Sequence, residues 1–306
     1  MPTVAETIKR ITREHLEKNK GIALGQCLTA VGWVGGTVPE MTEEQGLVEF
    51  PMADVANGYF AVGAALRSRG TKRRPIYIVR YQGFAWFNLV SVLNYAAKSK
   101  EMWGIPCPLF VRLIGMDGGI GPVASGSHHS LATRMPGIFV AAPMTSNEYE
   151  ILWDWFMSHD DPVIASEHRR SFPIDYEMES IINDGEVHIT FFPISSTRLN
   201  VREAVKILDK EGIKCNVEDV FWLKPFFVAQ SMKESLSASK YGGVVLDGDY
   251  ENGVAKCIAY DLMMETKKDV RVLGLEERTA GFAPNLDNLP PTAERICKFV
   301  RSILEK

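Results

Sequence analysis

The chain has 306 residues, 46% of them hydrophobic and 24% charged, with a formal net charge of −4. That length suggests about two domains with sizeable cores, and the mild acidity gives no general attraction to nucleic acid or to an anionic membrane. The five cysteines, Cys27, Cys107, Cys215, Cys257 and Cys297, are odd in number, widely spaced and lack any Cys-x-x-Cys pair, which favours a reducing, cytoplasmic setting.

The first stretch, Thr7 to Leu16, is amphipathic and charged, so it reads as a helix and not as an apolar leader. No segment reaches the roughly 18 uninterrupted apolar residues of a membrane span. Ile22-Ala23-Leu24-Gly25 predicts the first strand, and Gly58 to Leu66 a small-residue helix suited to close packing. Further strands are expected at Pro75–Arg80, Pro108–Leu113, Gly137–Pro143 and Asp161–Ala165, with a helix through Val90–Lys98. Apolar runs alternating with helical periodicity predict an α/β protein with largely parallel sheets.

From Phe172 to Val187 the periodicity fades among Pro173, Asn183, Asp184 and Gly185, which suggests a connection between domains. The expected division is a first domain over 1–172, a linker over 173–187 and a second domain over 188–306. In the second, strands are expected at Ile189–Ile194, Cys215–Val220 and Gly243–Asp247, with a helix over Val201–Lys210. Gly242-Gly243 and Gly248-Asp249 read as turns.

Asp54, in Phe50-Pro51-Met52-Ala53-Asp54-Val55-Ala56-Asn57-Gly58, is the most informative position. By itself its carboxylate has two roles open to it, capping the following helix or contacting a ligand. Tyr81, Phe84 and Phe87 follow a predicted strand, where aromatic side chains serve either the core or a stacking wall. His128 and His129 are adjacent, but no Asp, Cys or His follows at ligand spacing, so the pair is a poor zinc site. The Gly-rich run Gly115 to Gly126 lacks the Lys of a phosphate-binding loop and reads as a pliable loop near an active site.

Several of these segments occur in the order and spacing of a known family. Gly25-Gln26-Cys27 with Gly35-Gly36, Tyr81-Gln82-Gly83-Phe84, Asn94-Tyr95-Ala96-Ala97-Lys98, Gly126-Ser127-His128-His129-Ser130, Asp161-Pro162-Val163 with Glu167, and Leu223-Lys224-Pro225 are the residues concerned. With the Asp54 segment, they resemble the beta subunit of the dehydrogenase component of 2-oxo acid dehydrogenase complexes. That subunit joins a transketolase-like pyrimidine-binding domain to a transketolase C-terminal domain.

The resemblance implies thiamine diphosphate as cofactor, with Asp54 standing one methylene short of the Glu that touches its aminopyrimidine. It implies Tyr81, Phe84 and Phe87 around the pyrimidine, and His129, with His128 beside it, at the reacting centre. A group titrating near neutrality suits proton transfer there. Gln26 stands where the family has an acid and keeps a structural or cofactor-facing role; Gly83 replaces a second acid. The family's diphosphate-binding Gly-Asp-Gly run with its Asn segment is missing.

The resemblance therefore places Mg2+ on an alpha-type partner subunit, in an α2β2 heterotetramer, with a lipoyl acyltransferase as a possible further partner. The implied reaction cleaves or forms a carbon–carbon bond next to a 2-oxo acid carbonyl. Two other readings stay open, a subunit of a split transketolase acting on ketose phosphates and a non-catalytic assembly or regulatory subunit.

Overall fold

A computed structural model describes residues 1–305. Contacts divide the chain into two units, Met1–Met116 with Val123–Glu177, and Asp117–Pro122 with the residues from Met178 onward. No helix among the described residues is long and apolar enough to cross a membrane.

The first unit opens with the helix Val4–Asn19. Thr3 and Glu6 form a capping box at its start, and Ile8, Ile11, His15 and Leu16 recur on one buried face. Six strands follow in this unit: β1 (Ile22–Gln26), β2 (Leu47–Phe50), β3 (Pro75–Val79), β4 (Phe110–Gly115), β5 (Phe139–Ala141) and β6 (Val163–His168). They pair in parallel in the order β2-β1-β3-β4-β6-β5.

Strands β3, β4 and β6 are buried at every position, which explains their continuous apolar runs. The sequence offers no such run for β2, a short edge strand in which Leu47 alone is buried. Because β2 lies on one side of β1 and β3 on the other, the carboxyl ends of β1 and β3 flank a topological switch point, the place where open parallel sheets bind ligands.

Two helical segments border that point. The helix Asp54–Ser68 buries Asn57, Gly58, Ala61, Val62 and Ala65. At Gly58 an added Cβ would meet the Asn88 carbonyl oxygen at 2.4 Å, so only glycine lets the backbones approach this closely. The helix expected through Val90–Lys98 instead passes through a wide π turn, Val92–Ala96, between the helices Ala85–Asn88 and Ala97–Trp103. Val92, Leu93, Ala96 and Ala97 remain buried across it, so the extra residue per turn serves the apolar seam.

The second unit contains β7 (Ile189–Pro193), β8 (Cys215–Val217), β9 (Trp222–Lys224), β10 (Gly243–Tyr250) and β11 (Val270–Leu275). Four of them form a parallel sheet in the order β11-β10-β7-β8. Phe191, Val217, Val244 and Leu246 pack against Val201, Ala204 and Leu208 of the helix Thr197–Lys210 and against Ile296 and Val300 of the helix Ala293–Leu304. Gly248 and Asp249, read from sequence as a turn, lie inside β10; only Gly242, with φ +81°, has turn geometry. They fall where the pairing of β10 with β11 shifts register, between Leu246 and Tyr250.

Candidate active site

Asp54 is the first residue of its helix and half-buried, and its side chain does not cap that helix. Its Oδ1 instead accepts hydrogen bonds from Gln26 Nε2 at 2.6 Å and Asn88 Nδ2 at 2.8 Å. Both amides are themselves oriented by further groups. Asn57 Nδ2 donates to Gln26 Oε1 at 3.1 Å, and the buried Tyr77 hydroxyl donates to Asn88 Oδ1.

Burial, with the Asp54 charge adding to it, pushes the Tyr77 pKa far up, so its hydroxyl keeps its proton. Two chains of donors thus converge on one carboxylate oxygen. The other, Oδ2, has no hydrogen-bond partner among the described residues.

Asp54 lines an open cleft of about 440 Å³ with Ala53, Val55, Ala56 and Phe87. Tyr81, Phe84, His128 and His129 are not among its walls. Gln26, Asp54 and Phe87, three of the residues expected at a cofactor site, are therefore brought together by β1 and two helix starts. A carboxylate held by amides on one oxygen and unpartnered on the other, beside an aromatic ring, suits the aminopyrimidine half of thiamine diphosphate. Among the described residues no cluster of three or more His, Cys, Asp or Glu side chains could hold a metal ion.

Tyr81 and Phe84 form a tilted ring pair with centroids 6.3 Å apart. The guanidinium groups of Arg80 and Arg169 lie over the Tyr81 ring, 5.3 and 5.1 Å from its centroid. Nε of Arg80 and both Nε and Nη2 of Arg169 are buried without a hydrogen-bond acceptor. Two cations with unfilled donors thus stand beside one aromatic ring.

His129 is completely buried, with Nδ1 3.0 Å from Ser166 Oγ. His128 is half-buried and turns its Nε2 back to the Ser125 carbonyl oxygen at 3.1 Å. Gln82 joins the two: its Oε1 accepts the His128 backbone N–H at 2.7 Å and its Nε2 donates to Ser166 Oγ at 2.9 Å. Glu167, matched in sequence to a family acid, forms a bidentate pair with Arg112 at 2.7 and 2.9 Å and accepts the Tyr149 hydroxyl at 2.9 Å.

Gly83 is explained by packing: a Cβ there would sit 1.8 Å from the Val123 carbonyl oxygen, so the loop over it leaves no room for the family's acid. Beyond β1, Cys27 and the run Val31–Gly35 take positive φ between +53° and +65°, a short left-handed turn in which each non-glycine residue costs about 1–2 kcal/mol.

Sequence reading missed Asn57, Tyr77, Asn88 and Gln82. Asn57 was detectable in principle, since it lies three residues after Asp54 on the same helix face. Asn88 carries only the weak signal of one amide within an apolar run.

The profile of the transketolase pyrimidine-binding domain matches residues 9–174. A pyruvate dehydrogenase E1 component beta subunit from Rickettsia bellii is 24% identical over 95% of each chain. The beta subunit of an acetoin:2,6-dichlorophenolindophenol oxidoreductase from Cupriavidus necator is 25% identical over 90% of this chain and 86% of its own. A 2-oxoisovalerate dehydrogenase beta subunit from Bacillus subtilis is 23% identical over 92% of each.

Among solved structures, a split-gene transketolase described as an inactive beta4 tetramer superposes with a TM-score of 0.72 over 99% of this chain and 98% of its own, at 15% identity. The chain therefore belongs to the transketolase pyrimidine-binding domain family, and over nearly its whole length it is similar to dehydrogenase beta subunits.

Proposed function

We propose that this chain is the beta-type subunit of a heteromeric thiamine diphosphate-dependent enzyme that cleaves or forms a carbon–carbon bond next to the carbonyl of a 2-oxo acid. The observation that carries this reading is the Asp54 carboxylate, fixed through Oδ1 by Gln26 and Asn88 with Oδ2 unpartnered at an open cleft. When bound, thiamine diphosphate supplies the carbanion chemistry, and the protein supplies placement and protonation.

In this reading Asp54 holds the aminopyrimidine, and the amides behind it keep its carboxylate from rotating. Phe87 provides an apolar wall. His129, deep in the same unit, handles a proton, while the unfilled donors of Arg80 and Arg169 favour an anionic substrate group. The diphosphate and Mg2+ would sit on an alpha-type partner, so the chain would act only in a heteromer such as α2β2. A relative described as an inactive beta4 tetramer fits a half-site of that kind.

Arg80 and Arg169 would serve a sugar phosphate as well as a carboxylate, so a split transketolase is the second reading. Co-expression with a subunit carrying the diphosphate-binding motif, followed by turnover assays with pyruvate, branched-chain 2-oxo acids and ketose phosphates, separates the two. Ketose phosphates alone driving turnover would select the second. Full activity of the complex with Asp54→Ala would point to an assembly or regulatory subunit and remove both.

A further inference from the structure

Gln82 is fully buried at the start of the short turn that follows β3, and both ends of its amide are hydrogen-bonded. The His128 backbone N–H can only donate, so the atom 2.7 Å from it must be the Gln82 oxygen. The amide nitrogen then faces the carbonyl oxygens of Leu113 at 3.0 Å and Glu167 at 3.3 Å, together with Ser166 Oγ at 2.9 Å. Carbonyl oxygens only accept, which agrees with that assignment.

An amide NH2 group has no lone pair to offer, so Ser166 Oγ cannot donate to it and shares the amide's two N–H protons with the two carbonyls. The one proton of Ser166 needs an acceptor of its own, because the residue is fully buried. The described neighbour within reach is Nδ1 of His129, 3.0 Å away.

We infer that Gln82 and Ser166 act as a positioning pair that holds neutral His129 with Nδ1 as acceptor and the proton on Nε2. The opposite tautomer would put two donors on Ser166 Oγ and leave the hydroxyl proton buried without an acceptor. The imidazole is thereby set to present Nε2–H, a proton donor, at its far edge. The catalytic value of that setting rests on the reading of His129 as the group that handles a proton; the tautomer itself does not.

Long-range proton–nitrogen NMR of the full chain labelled with 15N-histidine tests the tautomer without any turnover. The His129 signals are assigned by their loss in His129→Gln. An unprotonated Nδ1 and a protonated Nε2 are expected in the wild type, and a mixture of tautomers in Ser166→Ala. A protonated Nδ1 in the wild type overturns the relay and needs no variant to fold.

In the assembled complex, Ser166→Ala should lower kcat by on the order of 100-fold with KM little moved and with the pH profile displaced, while Ser166→Thr, which keeps the hydroxyl, should restore most of it. Unchanged turnover in His129→Gln would remove the catalytic role of the pair and that part of the functional reading, while leaving the tautomer standing.

Discussion

Two carboxylates of the first unit, Glu167 and Asp54, are treated in opposite ways. Glu167 is 1% exposed and both its oxygens are occupied, by the Arg112 guanidinium and the Tyr149 hydroxyl. Burial acts to lower the Arg112 pKa, but Glu167 and Tyr149 outweigh it and the net shift is upward. Asp54 is half-buried, held by neutral amides on one oxygen, and unpartnered on the other. A carboxylate closed by a cation joins two strands; one steadied by amides keeps its charge available to a ligand. Both sit near the carboxyl ends of parallel strands, so partners and not location distinguish them.

The contrast predicts where each change should register. Arg112→Met strands the Glu167 charge in the core and should cost about 3–5 kcal/mol of stability by urea unfolding. Replacing both partners with apolar residues should recover much of it; a single variant within about 1 kcal/mol of wild type would mean that the pair is not dry. Asp54→Ala should do the reverse, lowering turnover of the assembled complex by about 100-fold or more while shifting the unfolding midpoint little.

Asp54→Glu sharpens the point. The added methylene displaces the carboxylate from the Gln26 and Asn88 amides, so activity below that of the native Asp is expected in spite of the family's preference for Glu. Activity above it would show that the amide cradle does not set the reach of the carboxylate.

Gly83→Asp restores the family's acid but drives a Cβ into the Val123 carbonyl, and should destabilise by about 1–3 kcal/mol in thermal unfolding. No loss there would mean that the loop yields.

The smallest effect is expected at His15, which bonds through Nε2 to the Arg74 carbonyl oxygen at 2.6 Å and contacts Asn19 through Nδ1 at 3.2 Å. Burial lowers its pKa from the model-peptide value of 6.5 despite the Arg74 carbonyl. Below about pH 6.5 the unfolded chain therefore binds a proton that the folded one refuses, so this contribution to stability is complete above that pH and falls as pH drops towards the lowered folded value. His15→Gln should flatten the stability profile across that acidic window; an unchanged slope would assign it to other groups.

Much of the first sheet was visible in the chain. β3, β4 and β6 announce themselves as apolar runs because both their faces are covered, whereas β2 does not, since one buried Leu47 in four residues gives no period. β11 was also missed, as was the helix Val254–Thr266 before it. The site divides in the same way. Asp54 and Phe87, both expected at the site from sequence, line one cleft, and Gln26 bonds to Asp54 there, yet the second amide on Asp54 comes from Asn88, which no local pattern singles out, and the Gln26 amide is itself held by Asn57.

Residue types and their order were enough to settle an α/β chain with parallel sheets and a family, and they singled out Asp54, Phe87 and His129 as candidates. Folding decided what each of these groups is able to do. Whether Glu167 is neutralised, which oxygen of Asp54 stays open, and which nitrogen of His129 carries a proton all depend on hydrogen-bond partners tens of residues away, and a linear pattern holds no record of partners that only the packing of strands brings within 3 Å.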